Sequence, residues 1–172
     1  MSFKTLTLSA TTVYLTGVLV GYFVEPGISL RSPEAVTPIS LMDQPKTDLL
    51  WSIAGNNIMV ALINIVGGFS LGVVSLLNSF YNGVVLGFAL SVAGENFTVP
   101  VILRHLLPHA IEIAAIILSC SLGFYLGIHL FRKFILGGYP VFDYRKFIFQ
   151  AALTLVILVG AAFLEVFVSF SG

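Results

Sequence analysis

The stretch LLWSIAGNNIMVALINIVGGFSLGVVSLLNSFYNGVVLGFALSVA, residues 49–93, decides the fold of this chain. These 45 residues are apolar almost throughout. One membrane-spanning helix needs about 20 apolar residues, so the stretch is long enough for two. It therefore predicts two transmembrane helices folded into a hairpin, with the turn between Gly72 and Asn78.

The composition extends this conclusion to the rest of the chain. Of the 172 residues, 58% are hydrophobic and 9% are charged, whereas soluble domains are about 25% charged. We therefore predict an all-α, polytopic transmembrane helix bundle of about five spans that forms one domain, residues 1–172. The predicted spans are residues 5–24, 50–72, 75–93, 100–128 and 147–168.

The charges of two connections give the bundle a direction. The loop predicted at 129–146 carries four basic residues and one acidic residue, whereas the loop predicted at 25–48 carries four acidic and two basic residues. The positive-inside rule places the first loop in the cytoplasm and the second outside. The N-terminus is then cytoplasmic and the C-terminus lies outside the plasma membrane. We interpret the first span as a retained helix rather than a secretory signal, because no strong Ala-x-Ala cleavage site precedes Glu25.

The charge balance argues against nucleic-acid binding, and the cysteine content excludes an internal disulfide. Eight basic residues balance eight acidic ones, and no basic arm or patch is present. We therefore predict no binding of nucleic acid. The single cysteine, Cys120, excludes an internal disulfide and a metal site made of thiolates alone. It is interpreted as a small packing residue.

Pairs of glycines four residues apart recur within the predicted spans. Such pairs let helix backbones approach closely in lipid. Two interpretations follow: tight packing inside one chain, or contact with a second copy in a homodimer or with another membrane protein. The pairs are Gly68/Gly72, Gly83/Gly87 and Gly123/Gly127.

Amide and ionisable side chains inside the spans are the candidates for a functional site, because such groups are costly at membrane depth. His105, His109 and Glu112 are spaced by four and three residues, which places them on one stripe of the fourth helix. The rise of about 1.5 Å per residue allows this stripe to meet Asn57 and Glu165 in the outer half of the bundle. The predicted intramembrane network comprises Asn57, Asn64, Asn82, His105, His109, Glu112 and Glu165.

Three interpretations of these residues stay open. The first is a structural network of hydrogen bonds between helices. The second is a zinc site, since two imidazoles and carboxylates are common zinc ligands, and an activated water would make His109, Glu112 and Glu165 catalytic candidates for intramembrane hydrolysis or peptide-bond formation. The third is a transport path in an oligomer. The predicted metal ligands are His105, His109, Glu112 and Glu165.

Four short motifs occur in the order known from one family of membrane proteins. They are Asn57, Asn78-x-x-x-Asn82-Gly83, Pro108-His109-Ala110-Ile111-Glu112 and Ala162-Phe163-Leu164-Glu165. Together they make the chain similar to the stage II sporulation protein M family from about residue 57 to residue 168. The chain departs from the family pattern at Ala110, where the family usually has glycine. The resemblance implies a multi-spanning fold and a polar set at Asn57, Asn82, His109, Glu112 and Glu165.

The same resemblance implies two kinds of function. The sporulation member anchors cell-wall-degrading enzymes at the membrane during engulfment, and other relatives help to mature or export a circular bacteriocin or to give immunity to it. The short connections of this chain favour the relatives over the sporulation member. We therefore predict a non-catalytic component that binds a partner or a hydrophobic peptide in a membrane assembly. A metal-dependent intramembrane enzyme and a small oligomeric transporter are the alternatives.

Overall fold

The computed structural model describes residues 2–24 and 45–168, apart from the side chains of residues 104, 105, 107, 108 and 168. Within those residues the chain is all-helical and contains no strand, which confirms the predicted fold class. The described part of the chain holds five helices that are long and apolar enough to cross a membrane. The helices are α1 (Phe3–Phe23), α2 (Lys46–Val66), α3 (Val73–Asn96), α4 (Val99–Phe134) and α5 (Tyr144–Val168).

The turn between α2 and α3 comes earlier than predicted. The chain passes through a short 3₁₀ helix, Gly67–Ser70, and reverses at Leu71 and Gly72, whose φ angles are 59° and 90°. Gly67 permits this early return because a Cβ on it would lie 2.6 Å from the backbone nitrogen of Ser75. The turn predicted near Gly72 to Asn78 is therefore placed a few residues too late, because the chain reverses at the start of that range and Asn78 lies inside α3.

The connection between α4 and α5 is shorter than the predicted loop 129–146. It spans residues 135–143, because α4 continues to Phe134 and α5 begins at Tyr144. Arg132 and Lys133 suit the last turn of a helix, where basic groups interact favourably with the helix dipole. Gly137 then turns the chain back with a φ of 64°, and Gly138 N–H donates to the Arg132 carbonyl at 2.9 Å. Of the other predicted loop, residues 25–44 lie outside the described residues.

Glycines bring α1 and α3 into backbone contact. A Cβ on Gly17 or Gly83 would lie 3.2 Å from the Cα of the other, and Gly87 faces Val18 while Gly21 faces Val84. Because residue numbers rise together along both helices, α1 and α3 run in the same direction. The pair Gly17/Gly21 has the same spacing as Gly83/Gly87.

Helix α4 lies at the centre of the bundle and contacts the other four helices. Its glycines also pack within the chain: Gly123 abuts Ser75 and Asn64, and Gly127 abuts the Leu71–Gly72 turn. The glycine pairs thus serve packing inside one chain. The glycine pairs therefore no longer support the predicted homodimer, which stays a prediction.

Large apolar side chains cover the outside of the described helices. Leu19, Phe149 and Val156 are between 61% and 69% exposed in the isolated chain. Such a surface would be unstable in water and suits the hydrocarbon of a bilayer. The chain is therefore a membrane protein.

Candidate functional site

A histidine and a glutamate one turn apart on α4 form the centre of the site. Residues three apart on a helix share a face, and here the Nδ1 atom of His109 lies 2.9 Å from Oε2 of Glu112. Glu112 is buried and His109 is half-buried. The pair therefore combines a titratable ring with a carboxylate inside the bundle.

Helix α5 adds a second carboxylate on the other side of the imidazole ring. Oε1 of Glu165 lies 3.7 Å from Nε2 of His109, which is beyond hydrogen-bond distance. The other oxygen of Glu165, Oε2, is buried and has no hydrogen-bond partner within the described residues. Each ring nitrogen of His109 thus lies near one carboxylate, and the carboxylate of Glu165 is only partly satisfied. We call His109, Glu112 and Glu165 the histidine–carboxylate cluster.

Helix α2 holds the cluster through one hydrogen bond. The Nδ2 atom of Asn57 donates to Oε1 of Glu112 at 2.6 Å. Because Nδ1 of His109 contacts the other oxygen, Oε2, both oxygens of Glu112 have partners. Two helices that are distant in sequence, α2 and α4, therefore meet at one carboxylate.

The cluster borders a pocket of about 460 Å³ between α3 and α4. Its walls run from Asn82 on α3 to Phe97, just after the end of that helix, and from Val101 to Ile116 on α4, and most of the lining side chains are apolar. His109, Glu112 and Asn57 contribute to the wall as well. Pockets of this size are typical of ligand sites, in which a few polar groups fix the orientation of an apolar ligand.

A second polar cluster joins α2, α3 and α4. We call it the amide cluster, and it comprises Asn64, Ser75, Asn78 and Ser119. The side chain of Asn64 is fully buried; its Nδ2 donates to Ser119 Oγ at 2.9 Å and its Oδ1 accepts from Asn78 Nδ2 at 2.8 Å. The hydroxyl of Ser75 donates to the Asn64 carbonyl at 2.6 Å. These bonds fasten helices to one another, which is the structural role expected of buried amides in a membrane bundle.

The structure divides the single polar network of the sequence analysis between these two clusters. Asn57 lies with the histidine–carboxylate cluster, and Asn64 lies with the amide cluster. Asn82 stands between them: its Nδ2 donates to the Asn78 carbonyl at 2.8 Å, and its side chain lines the same pocket as Glu112. The side chain of His105, the remaining predicted ligand, lies outside the described residues.

One residue of the pocket wall was missed by the sequence analysis. Tyr14 of α1 is buried and lines the pocket. The available signal was the spacing of three or four residues along the buried stripe of α1. The buried residues of that stripe are Leu6, Ala10, Tyr14, Gly17 and Gly21.

The donor atoms of the histidine–carboxylate cluster are close enough to hold a metal ion. Each of the three residues offers one ligand atom, and these atoms lie within 4.8 Å of one another. One imidazole and two carboxylates suit a divalent transition-metal ion. The cluster is thus chemically able to hold a proton, a hydrogen-bonding ligand or a metal ion.

The fold and the site together define a helical, multi-spanning membrane protein with ionisable side chains at an internal pocket. The model of the stage II sporulation protein M family matches residues 10–170, and the chain belongs to this family. The family resemblance drawn from the sequence motifs is therefore confirmed. The chain is also similar to an uncharacterised protein of Methanocaldococcus jannaschii, with 28% identity over 126 residues that cover 69% of each chain. No solved structure matches it.

Proposed function

We propose that the protein is a component of a plasma-membrane assembly and binds a hydrophobic peptide segment in the pocket between α3 and α4. One observation carries the proposal: a pocket of about 460 Å³ combines long apolar walls with amide, phenol and carboxylate groups. The dimensions and the chemistry of this pocket each support a peptide.

The dimensions favour an extended segment or one face of a helix. The lining on α4 from Val101 to Ile116 corresponds to roughly 22 Å of helix at 1.5 Å per residue. A pocket that is elongated along one helix suits a short extended chain or the side chains along one face of a partner helix.

The polar groups favour a peptide over a lipid chain. Every backbone N–H and C=O of a peptide in hydrocarbon needs a hydrogen-bond partner, whereas an acyl chain needs none. The Asn82 amide nitrogen is engaged with Asn78, which leaves its carboxamide oxygen to accept a bond from a ligand. Tyr14 adds a hydroxyl to the same wall.

Two assemblies implied by the family resemblance would use such a site. In cell-envelope remodelling the occupant would be the membrane segment of a partner protein. In the maturation, export or immunity of a circular bacteriocin it would be the cyclised hydrophobic peptide. Both occupants are apolar peptides with backbone groups that need hydrogen-bond partners, which is the chemistry that the pocket favours.

Photo-crosslinking tests the proposed peptide site. We expect a benzophenone amino acid in place of Leu90, on the pocket wall, to form an adduct with one apolar peptide segment in host membranes. The same probe in place of Leu19, which is 61% exposed on α1, should label lipid only. Mass spectrometry identifies the adducts.

A pocket-filling variant provides the control for that experiment. Leu86→Trp should abolish the peptide adduct because Leu86 lines the pocket, whereas Leu15→Trp, on the exposed face of α1, should leave it intact. Lipid adducts alone from position 90, or the same peptide from position 19, would refute the peptide site.

The proposed orientation places the N-terminus in the cytoplasm and the C-terminus outside. The ring of Phe3 lies 6.3 Å from that of Tyr125, so the start of α1 is at the same end of the bundle as the 135–143 connection. The positive-inside rule assigns the basic end to the cytoplasm. The basic residues at this end are Lys4, Arg132, Lys133, Arg145 and Lys146.

Cysteine labelling of intact cells tests the orientation. With the buried Cys120 replaced by serine, a membrane-impermeant maleimide should label Glu95→Cys and spare Leu136→Cys until the cells are opened. Both positions are exposed, and they lie at opposite ends of the bundle. Labelling of position 136 on intact cells would show that the protein has the opposite orientation.

A further inference from the structure

We propose that His109, Glu112 and Glu165 bind one divalent transition-metal ion beside the pocket, with zinc as the best match to the ligands. This inference is separate from the proposed binding of a peptide. It is based on the geometry of the donor atoms, on the charge of the cluster and on Oε2 of Glu165, which has no hydrogen-bond partner within the described residues.

One distance in the cluster suits a metal ion better than a hydrogen bond. Two ligands of a tetrahedral zinc ion, each about 2.0–2.1 Å from the metal, lie about 3.3 Å apart. The contact between His109 Nε2 and Glu165 Oε1, at 3.7 Å, is too long for a hydrogen bond but close to this separation. One ligand atom from each of the three residues lies within 4.8 Å of the others.

The charge of the cluster also favours a divalent cation. Two ionised carboxylates with a neutral imidazole carry two negative charges, and a protonated imidazole cancels only one. Uncompensated charge among membrane-spanning helices is unfavourable. A divalent ion with Glu112, Glu165 and neutral His109 forms a group with no net charge.

A proton is the competing way to neutralise Glu165. A protonated carboxyl group inside a membrane bundle needs an acceptor for its O–H. Oε2 of Glu165 has no hydrogen-bond partner in the described part of the chain, and Oε1 lies 3.7 Å from the imidazole. A proton shared between Glu165 and Glu112, whose carboxyl groups lie close together, would remove only one of the two negative charges, whereas a divalent ion neutralises both.

The surroundings of the histidine–carboxylate cluster resemble those of a metal site that is accessible to water or a ligand from the pocket. Three protein ligands leave a fourth position for water, as in catalytic zinc sites, and His109 and Glu112 face the pocket. Asn57 would orient Glu112 from outside the ligand set through its 2.6 Å hydrogen bond. Such a site is what the predicted metallo-hydrolase or peptide-bond-forming activity would require.

Metal analysis of the purified full chain tests the proposal. After growth with added zinc and purification in metal-free buffers, the wild-type protein should contain about one zinc ion per chain. His109→Ala, Glu112→Gln and Glu165→Gln should each lower this content at least about tenfold. Glu95→Gln, which alters an exposed carboxylate, should retain the full content.

Cobalt substitution of the wild-type chain makes the test independent of how the variants fold. Replacing zinc with Co²⁺ should give the visible absorption bands of a four-coordinate site, and added zinc should remove them. Asn57→Ala should weaken metal binding about 10–100-fold while the number of sites stays at one. Wild-type protein that takes up neither ion would overturn the proposal in favour of a shared proton, and zinc retained in all three ligand variants would also overturn it.

Discussion

Replacing Gly87 with alanine is expected to destabilise the bundle by roughly 1–3 kcal/mol, the range of an overpacked core. The new Cβ would collide with the Val18 carbonyl of α1 and lie 2.8 Å from the backbone nitrogen of Tyr22. Backbone atoms cannot rotate away as side chains do, so α1 and α3 must separate along their shared face. Thermal unfolding in detergent, followed by size-exclusion chromatography, measures the loss.

Two other glycines of the same chain provide matched controls. A Cβ on Gly55 or Gly160 would meet nothing within 4 Å. Alanine is the better helix former by about 1 kcal/mol, so Gly55→Ala and Gly160→Ala should leave stability unchanged or slightly raised. If Gly87→Ala behaves like Gly160→Ala, the close α1–α3 packing is wrong.

The five-helix fold could be predicted because the length of each apolar run is set by the thickness of the bilayer. Residues 49–93 had to form two spans whatever their detailed packing. The turn inside this run was placed too late because nothing in an apolar pattern reveals that the missing side chain of Gly67 lets Ser75 approach. That contact depends on tertiary structure alone.

The ends of the basic loop were misplaced for a different reason. Charged residues were taken as a sign of loop, yet Arg132 and Lys133 fit the last turn of α4, where they face the negative end of the helix dipole. The left-handed Gly137 marks the true end of the turn that follows. The position of this glycine therefore indicated the end of α4 better than the charged residues did.

The candidate site could be predicted in part, since ionisable residues at membrane depth are few. The spacing of His109 and Glu112 fixes their common face, and their contact at 2.9 Å follows from the helix itself. The contact with Glu165 and the bond from Asn57 depend on how α2, α4 and α5 pack, which no spacing within one helix determines. The same holds for the separation of Asn64 from this cluster.

Replacing Asn57 with aspartate is the second change expected to have a large effect. It would bring a carboxylate to the position now 2.6 Å from Oε1 of Glu112, exchanging a donor for a like charge. Coulomb repulsion in a partly screened interior predicts a loss of roughly 2–4 kcal/mol. Asn96→Asp, on an exposed residue near the end of α3, should cost less than about 1 kcal/mol.

The central claim is that side chains from α2 and α4 meet at one carboxylate beside the pocket, and a double-mutant cycle tests it most directly. Stability is measured for wild type, Asn57→Asp, Glu112→Gln and the double variant, with a chelator present so that bound metal plays no part. The double variant restores an amide facing a carboxylate. We predict that it recovers at least roughly half of the Asn57→Asp loss, with a coupling energy of about 1–3 kcal/mol. Effects that add to within about 0.5 kcal/mol, as for residues that do not touch, would contradict the meeting of these helices at the site.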